Sequence, residues 1–408
     1  MLNKYSEAVD WLFSQFPSYQ QVGGSAYKPG LENIQALVQH LGNPEKELQF
    51  IHVAGTNGKG STCAFMASFL QQKGFRVGLF SSPHLVDFRE RIRVNGQCIS
   101  EEAVVTFCQQ MVKTPIDSSF FEITLAMALV YFKQVRCDYV VLETGMGGRL
   151  DATNVVRPLV SVITQIGYDH QAFLGETLPE IASEKAGIIK EGVPVLCGEE
   201  REALKKVFQA KAKLYHAPIH FINSSIDDPH EQLPLYQRKN AALALKALSL
   251  LGFNPQEFNA IDTWQHLFKT TGLLGRLTPS QKFANLWYDA SHNADGLQTT
   301  LKALGNMGVK ELTVVFGASN DKPLEHLSEY KIERWVFCEF TNARSYRGST
   351  LVEAIEKLPL SEVHYAAEVN EGIEKALQMR KGTEGILVTG SFFLLSDCAE
   401  IQEILRNQ

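Results

Sequence analysis

Residues 51–62 read Ile-His-Val-Ala-Gly-Thr-Asn-Gly-Lys-Gly-Ser-Thr. A short apolar run enters a glycine-rich turn that carries one lysine and two hydroxyls, and Thr62–Lys73 behind it has helical spacing. Glycines let the backbone turn its N–H groups toward phosphate oxygens, and the start of a helix adds partial positive charge. In such a cradle Lys59 would lie on the terminal phosphates of a nucleotide, and Ser61 or Thr62 would reach a magnesium ion. The segment is not a strict G-x4-G-K-[ST] loop, because position 53 is Val and Gly60 separates Lys59 from Ser61.

Other residues able to do chemistry also follow strand-like runs. Glu143 ends Tyr-Val-Val-Leu-Glu and enters the turn 144–148. In parallel sheets ligands gather at the carboxyl ends of strands, so a carboxylate there suits a magnesium ion. Ser82 in Ser-Ser-Pro-His-Leu could add a hydroxyl ligand, although Ser-Pro is also a common turn starter. His170, after Ser-Val-Ile-Thr-Gln-Ile, is an imidazole in a loop, more often a bystander than a ligand. Lys185 in Ser-Glu-Lys-Ala-Gly-Ile-Ile-Lys reads as an exposed helical lysine. Asp289 and His292 in Asp-Ala-Ser-His-Asn would lie at another strand end. There the aspartate could accept from a ribose hydroxyl or orient a Lys or Arg, the histidine could donate to phosphate, or the turn could simply cap a helix.

The elements that must hold these residues alternate. Strand runs at Phe50–Ala54, Arg76–Phe80, Asp138–Leu142, Leu159–Gln165 and Pro194–Cys197 are separated by helical runs, among them Phe121–Gln134 and Leu178–Lys190. Asn240–Leu251 predicts a core helix, and Thr270–Ser280, rich in turn residues, predicts a linker. Strands restart at Leu286–Asp289, Leu312–Phe316, Arg334–Cys338 and Gly385–Thr389. The expectation is an α/β protein with a P-loop-like, mostly parallel sheet domain over 1–273 and a smaller Rossmann-like α/β domain over 274–408.

Composition sets the bounds. The 408 residues are 45% hydrophobic and 21% charged, with 39 basic and 45 acidic side chains and a net charge of −6. That excludes a disordered chain and speaks against a general nucleic-acid grip. Seven cysteines, widely spaced and without a CxxC pair, fit free thiols. The first residues lack a basic start and an apolar run, and no apolar stretch approaches the length of a membrane span. A cytoplasmic, monomeric protein without a nucleic-acid or membrane partner is expected.

In order along the chain, AGTNGKGST, SSPHL, LETGMGGRLDATN, DHQAFLG, SEKAGIIK and YDASHNADG resemble the folylpolyglutamate synthase family, including its bifunctional dihydrofolate synthase members. The likeness runs from about Tyr27 to Phe392, and its wider relatives are the Mur ligases. It implies an ATP-dependent ligase that phosphorylates a pteroate or folate carboxylate and joins the acyl phosphate to the amine of L-glutamate. Such chemistry asks for positioning and cationic stabilisation rather than a protein nucleophile.

By this resemblance Gly55, Thr56, Asn57, Gly58, Lys59, Gly60 and Ser61 cradle ATP, with Asn240, Arg276, Asp289 and His292 as further ATP contacts. Ser61, Ser82, Glu143 and His170 match magnesium-ligand positions, two ions being expected, and Lys185 matches a lysine that the family carbamylates, which reverses its bland reading. Lys59, Glu143, His170 and Lys185 are the expected catalytic set. Arg276 falls at the linker, so domain closure would bring it to the phosphates. The pterin side is similar to Ala26-Tyr27-Lys28-Pro29, Ser119-Phe120-Phe121-Glu122 and Leu150-Asp151-Ala152. There Phe120 and Phe121 could pack on the ring and Asp151 could bond its amino-pyrimidine edge.

Departures from the family are Ser291 in place of a small apolar residue, Pro323 after Asp321-Lys322, and a short segment over 215–235. The alternatives are a Mur-type ligase of UDP-sugar peptides, which would want a further domain before the phosphate loop, and a P-loop binding protein without catalysis. The presence of Glu143, His170 and Lys185 together argues against the second.

Overall fold

The structure, a computed structural model, describes residues 2–18, 21, 23, 28–114, 117–228 and 232–407. Ala26 and Tyr27, and part of the short 215–235 segment, lie outside the described residues. The chain divides into two compact units, Met1–Leu273 and Leu274–Gln408.

In the first unit the strands are β1 (Phe50–Ala54), β2 (Val77–Phe80), β3 (Ile92–Val94), β4 (Gln97–Cys98), β5 (Tyr139–Glu143), β6 (Val160–Ile163), β7 (Val195–Cys197) and β8 (Ile219–Phe221). They form one sheet in the order β4-β3-β2-β5-β1-β6-β7-β8. All neighbours are parallel except β2–β3 and β3–β4. The central strand β1 is buried at every position, which is why it reads as an unbroken apolar run rather than an alternating one. Side chains still alternate: Val140 and Leu142 of β5 enter the core on one face, with the helix Phe120–Gln134, and Val141 enters the core on the other, with the helix Lys59–Gln72. Ten successive residues of that second helix, Ser61–Leu70, are buried. Its two flanking helices, Leu235–Leu250 and Ala260–Thr271, pack on it, with Phe65 stacked on Trp264 at 6.1 Å between ring centroids.

β1 lies between β5 and β6, and its last residues pair Val53 with Glu143 and Ala54 with Ile163. The loops after β1, β2, β5 and β6 therefore leave the same edge of the sheet, and the chain runs from β1 to one side and later to the other, which opens a crevice at that edge.

The second unit holds β9 (Thr278–Pro279), β10 (Leu286–Tyr288), β11 (Leu312–Phe316), β12 (Arg334–Cys338), β13 (Glu362–Ala366) and β14 (Gly385–Thr389). Their order is β13-β12-β11-β14-β10-β9, parallel except for β9 against β10. Trp335 and Phe337 stack at 5.7 Å in its core.

Three sequence expectations shift. The helix read from Asn240 begins at Leu235, after Pro234. The helix read over 178–190 stops at Lys185, where a short 3-10 turn takes over and Gly187 lies so close to Arg149 that an added Cβ would be 2.3 Å from its Cα. The expected linker contains the end of the helix Ala260–Thr271, capped by Gly272 at φ 72°, and the edge strand β9, where Pro279 is tolerated because an edge needs fewer donors. Among the described residues no helix is long and apolar enough to cross a membrane.

Candidate functional site

The phosphate loop is shaped from both sides. Gly55 lies so close to β6's exit that a Cβ would stand 1.8 Å from Thr164 Oγ1, and Gly58 caps the helix at φ 88°. Both positions require glycine, for space and for backbone hand respectively. Thr164 Oγ1 donates to the Asn57 carbonyl at 2.7 Å, the Thr56 amide donates to the Gln165 carbonyl at 2.7 Å, and Thr56 Oγ1 donates to the Gly167 carbonyl at 3.0 Å. The loop is thus fastened to the segment that leads to His170.

Two ammonium groups meet its backbone. Lys59 Nζ donates to the carbonyls of Gly55 and Thr56, each at 3.1 Å, and Lys185 Nζ donates to the Gly55 carbonyl at 2.8 Å. Lys185 is 4% exposed, not the surface lysine its local sequence suggests. Burial, reinforced by the Lys59 charge and opposed by Asp169 and Asp151, pushes its pKa down to about 7. Burial thus favours the neutral amine over the ammonium at this position.

Glu143, 5% exposed at the end of β5, accepts from the Ser82 amide at 3.3 Å. A Cβ on Gly60 would stand 3.7 Å from both its oxygens, so the carboxylate faces the first turn of the phosphate-loop helix. His170 adopts the left-handed region at φ 51°, with Nε2 3.7 Å from Asp169 Oδ2. Among the described residues no three His, Cys, Asp or Glu side chains converge as a self-contained metal cage. One carboxylate with nearby hydroxyls is the donor set that suits Mg²⁺, which completes its shell with phosphate oxygens and water.

The helix Leu235–Leu250 adds two amides. Asn240 Nδ2 donates to Gln237 Oε1 at 3.1 Å, and Gln237 Nε2 donates to Ser61 Oγ at 3.2 Å. Asn240 was legible from its motif. Gln237 and Thr164 were not, since neither type signals a ligand and only the packing of helix and strand on the loop reveals them.

The expected pterin residues divide. Phe120 belongs to the core, stacked on Phe13 at 4.8 Å with the Arg91 guanidinium over its ring at 5.3 Å, whereas Phe121 is half-buried against Gly145. Ser119 and Glu122 form a reciprocal helix cap. Lys28 pairs with Asp117, Pro29 is exposed, Leu150 is half-buried and Ala152 is buried. Asp151 caps the turn that follows it, accepting from the Met146 amide at 2.7 Å and the Thr153 amide at 3.0 Å, and from the Thr153 hydroxyl. Thr153 Oγ1 also lies 2.8 Å from Nε2 of His52, which is fully buried in the middle of β1 and held neutral, its pKa driven down to about 3 by burial. With the Thr153 proton directed to Asp151, His52 Nε2–H is the donor in this chain.

In the second unit Asp289 is buried. Its Oδ2 accepts from the Leu277 amide at 2.8 Å, and its Oδ1 from the Ser291 amide at 3.0 Å, from Thr300 Oγ1 at 3.1 Å and from the Ser291 hydroxyl. These bonds tie the backbone beside Arg276, the Ser291 turn and Thr300 to one carboxylate. Arg276 lies over the Phe392 ring at 5.1 Å, and the His292 ring is 5.9 Å from the same phenyl. Phe392 carried no sequence signal of this role.

Residues 53–230 match the Mur ligase middle domain, and residues 275–392 match the glutamate ligase domain of the Mur ligases. The dihydrofolate synthase/folylpolyglutamate synthase of Bacillus subtilis is 33% identical, covering 97% of this chain and 99% of that protein. The protein of the same name from Escherichia coli is 32% identical, covering 100% and 99%. Among solved structures, E. coli FolC in complex with DHPP and ADP is similar with a TM-score of 0.81 at 29% identity, covering 99% of each chain. The bifunctional folylpolyglutamate synthase/dihydrofolate synthase of Yersinia pestis, complexed with AMPPNP and a manganese ion, is similar with a TM-score of 0.81 at 26% identity, covering 99% and 98%. A phosphate loop closed by two lysines, a strand-end carboxylate beside it and a second sheet unit, together with likeness over the whole chain, establish that this chain belongs to the dihydrofolate synthase/folylpolyglutamate synthase family of Mur ligases.

Proposed function

We propose that the protein joins L-glutamate to reduced folates and to dihydropteroate at the expense of ATP. The terminal phosphoryl group of ATP passes to the substrate carboxylate, giving an acyl phosphate and ADP. The α-amine of glutamate attacks the acyl carbon, the C–O bond to phosphate breaks, the amine loses a proton and an amide remains. A carboxylate is a poor electrophile, and this exchange gives it a leaving group.

The chain's part is placement and charge. Loop N–H groups from Gly55 to Ser61 hold the phosphates, and Lys59 swings from its carbonyl partners to the terminal phosphate. Asn240, Arg276, Asp289 and His292 are the residues we assign to the nucleotide. Ser61, Ser82, Glu143 and His170 would hold the divalent cations, whose charge offsets that building on the phosphoryl oxygens. Phe121 and Asp151, with the segments around Pro29 and Leu150, line the pterin side.

The observation that carries this reading is Lys185 Nζ, buried beside the phosphate loop and 2.8 Å from the Gly55 carbonyl. A free amine there attacks CO₂: the N–C bond forms, a C=O π pair moves to oxygen, and one N–H proton leaves to water. The lysine becomes an anionic carbamate able to join the cation site. A ¹³C carbamate signal from bicarbonate-treated protein, absent in Lys185→Ala, tests this step. The whole reading is tested by glutamate-dependent phosphate release from purified protein with dihydropteroate and, separately, with a reduced folate. Release with both is expected, and release with neither overturns the reading.

A further inference from the structure

Gln237 is fully buried and stands one helical turn before Asn240, on the same face of the helix Leu235–Leu250. Its amide is held at both ends: Oε1 accepts from Asn240 Nδ2 at 3.1 Å, and Nε2 donates to Ser61 Oγ at 3.2 Å. With Asn240 Oδ1 turned toward Gly58, its Nδ2 faces Gln237, which then presents Oε1 to Asn240 and Nε2 to Ser61. Asn240 is itself seated on the loop, where a Cβ on Gly58 would stand 2.6 Å from its Oδ1. Three side chains thus run in line across the phosphate loop. Because a buried amide that loses a partner is left with an unsatisfied group, the three shift together or not at all.

The geometry points to Gln237 as a positioning residue that couples divalent-cation binding at Ser61 to nucleotide binding at Asn240. It rests on the roles given to Ser61 and Asn240 above, and it touches neither ligand. A serine hydroxyl has two lone pairs and one proton. The Gln237 N–H engages one lone pair, which turns the other in a fixed direction, and groups that orient a ligand atom in this way set metal affinity. A nucleotide that draws Asn240 toward itself pulls on Gln237 and so on the Ser61 hydroxyl.

The test is calorimetric titration of the full chain with ADP, once with excess Mg²⁺ and once with chelator. The readout is the Kd with chelator divided by the Kd with Mg²⁺. Gln237→Met, similar in volume but without either bond, should lower this ratio about tenfold relative to wild type, whatever happens to each Kd alone. A ratio equal to that of wild type overturns the coupling, including the case in which both Kd values weaken by the same factor, which would leave Gln237 as a packing residue. Should Gln237→Met give no cooperative thermal melt, Gln237→Asn, which withdraws the amide from Ser61 by one methylene, is read in the same way. A wild-type chain that binds ADP equally well with and without Mg²⁺ overturns the coupling as well; failure of the functional reading is told apart from this by the absence of glutamate-dependent phosphate release with either substrate.

Discussion

Lys185 carries no local sign of its chemistry, since Ser-Glu-Lys-Ala-Gly is an ordinary helix end, yet it is buried against the Gly55 carbonyl. The sequence gives charge and neighbours along the chain, whereas desolvation comes from residues 130 positions away. Glu143 differs, because a carboxylate ending an apolar strand is visible in one dimension. Glu143→Ala should cut glutamate-dependent turnover at least about 100-fold while the chain still binds ADP in calorimetry; near-normal turnover would remove Glu143 from the cation site. His52 supplies an acid limb to stability. Its folded pKa, about 3, lies below the usual histidine value, so the unfolded chain binds one more proton between about pH 6.5 and pH 3. Stability attributable to this group is complete above about pH 6.5 and falls as pH drops, by up to about 1.4 kcal/mol per pH unit. His52→Gln should flatten that limb in denaturant melts taken across this range, and an unchanged slope would mean that His52 does not titrate on unfolding.

At the scale of elements, the phosphate loop depends on a strand it does not belong to. Gly55→Ala would drive a methyl group into Thr164, at about 1–3 kcal/mol. Thermal melts should show the loss, with partial recovery in Gly55→Ala/Thr164→Ala, since the second change removes the nearest atom; no recovery would place the strain in the backbone instead. Strands with both faces covered, such as β1, β11 and β14, were legible as short apolar runs. The hairpin β3–β4 was not singled out, although Asn95-Gly96 with φ of 48° and 82° is the dipeptide such turns prefer. β13, with only Ala366 buried, offered too little apolar signal to stand out.

For the molecule as a whole, two α/β units follow one another in sequence, with the boundary at Leu273–Leu274 and Arg276 just beyond it. Arg276→Ala should slow single-turnover acyl transfer about tenfold or more, with a thermal melt changed by no more than about 1 kcal/mol. A melt that falls in step with the rate would make its contact with Phe392 structural. The order of motifs along the chain was enough to determine the family, the fold class and the glycine-rich turn between β1 and its helix, because glycine placement, an apolar strand and a following helix are local facts. Only the folded chain decided that Lys185 is dry, that Gln237 joins Asn240 to Ser61, that Phe120 faces the core and that Asp289 grips the Leu277 amide. Each of these is settled by what packs alongside from a distant part of the chain, and burial and hydrogen-bond partnership are properties of that packing, not of residue type.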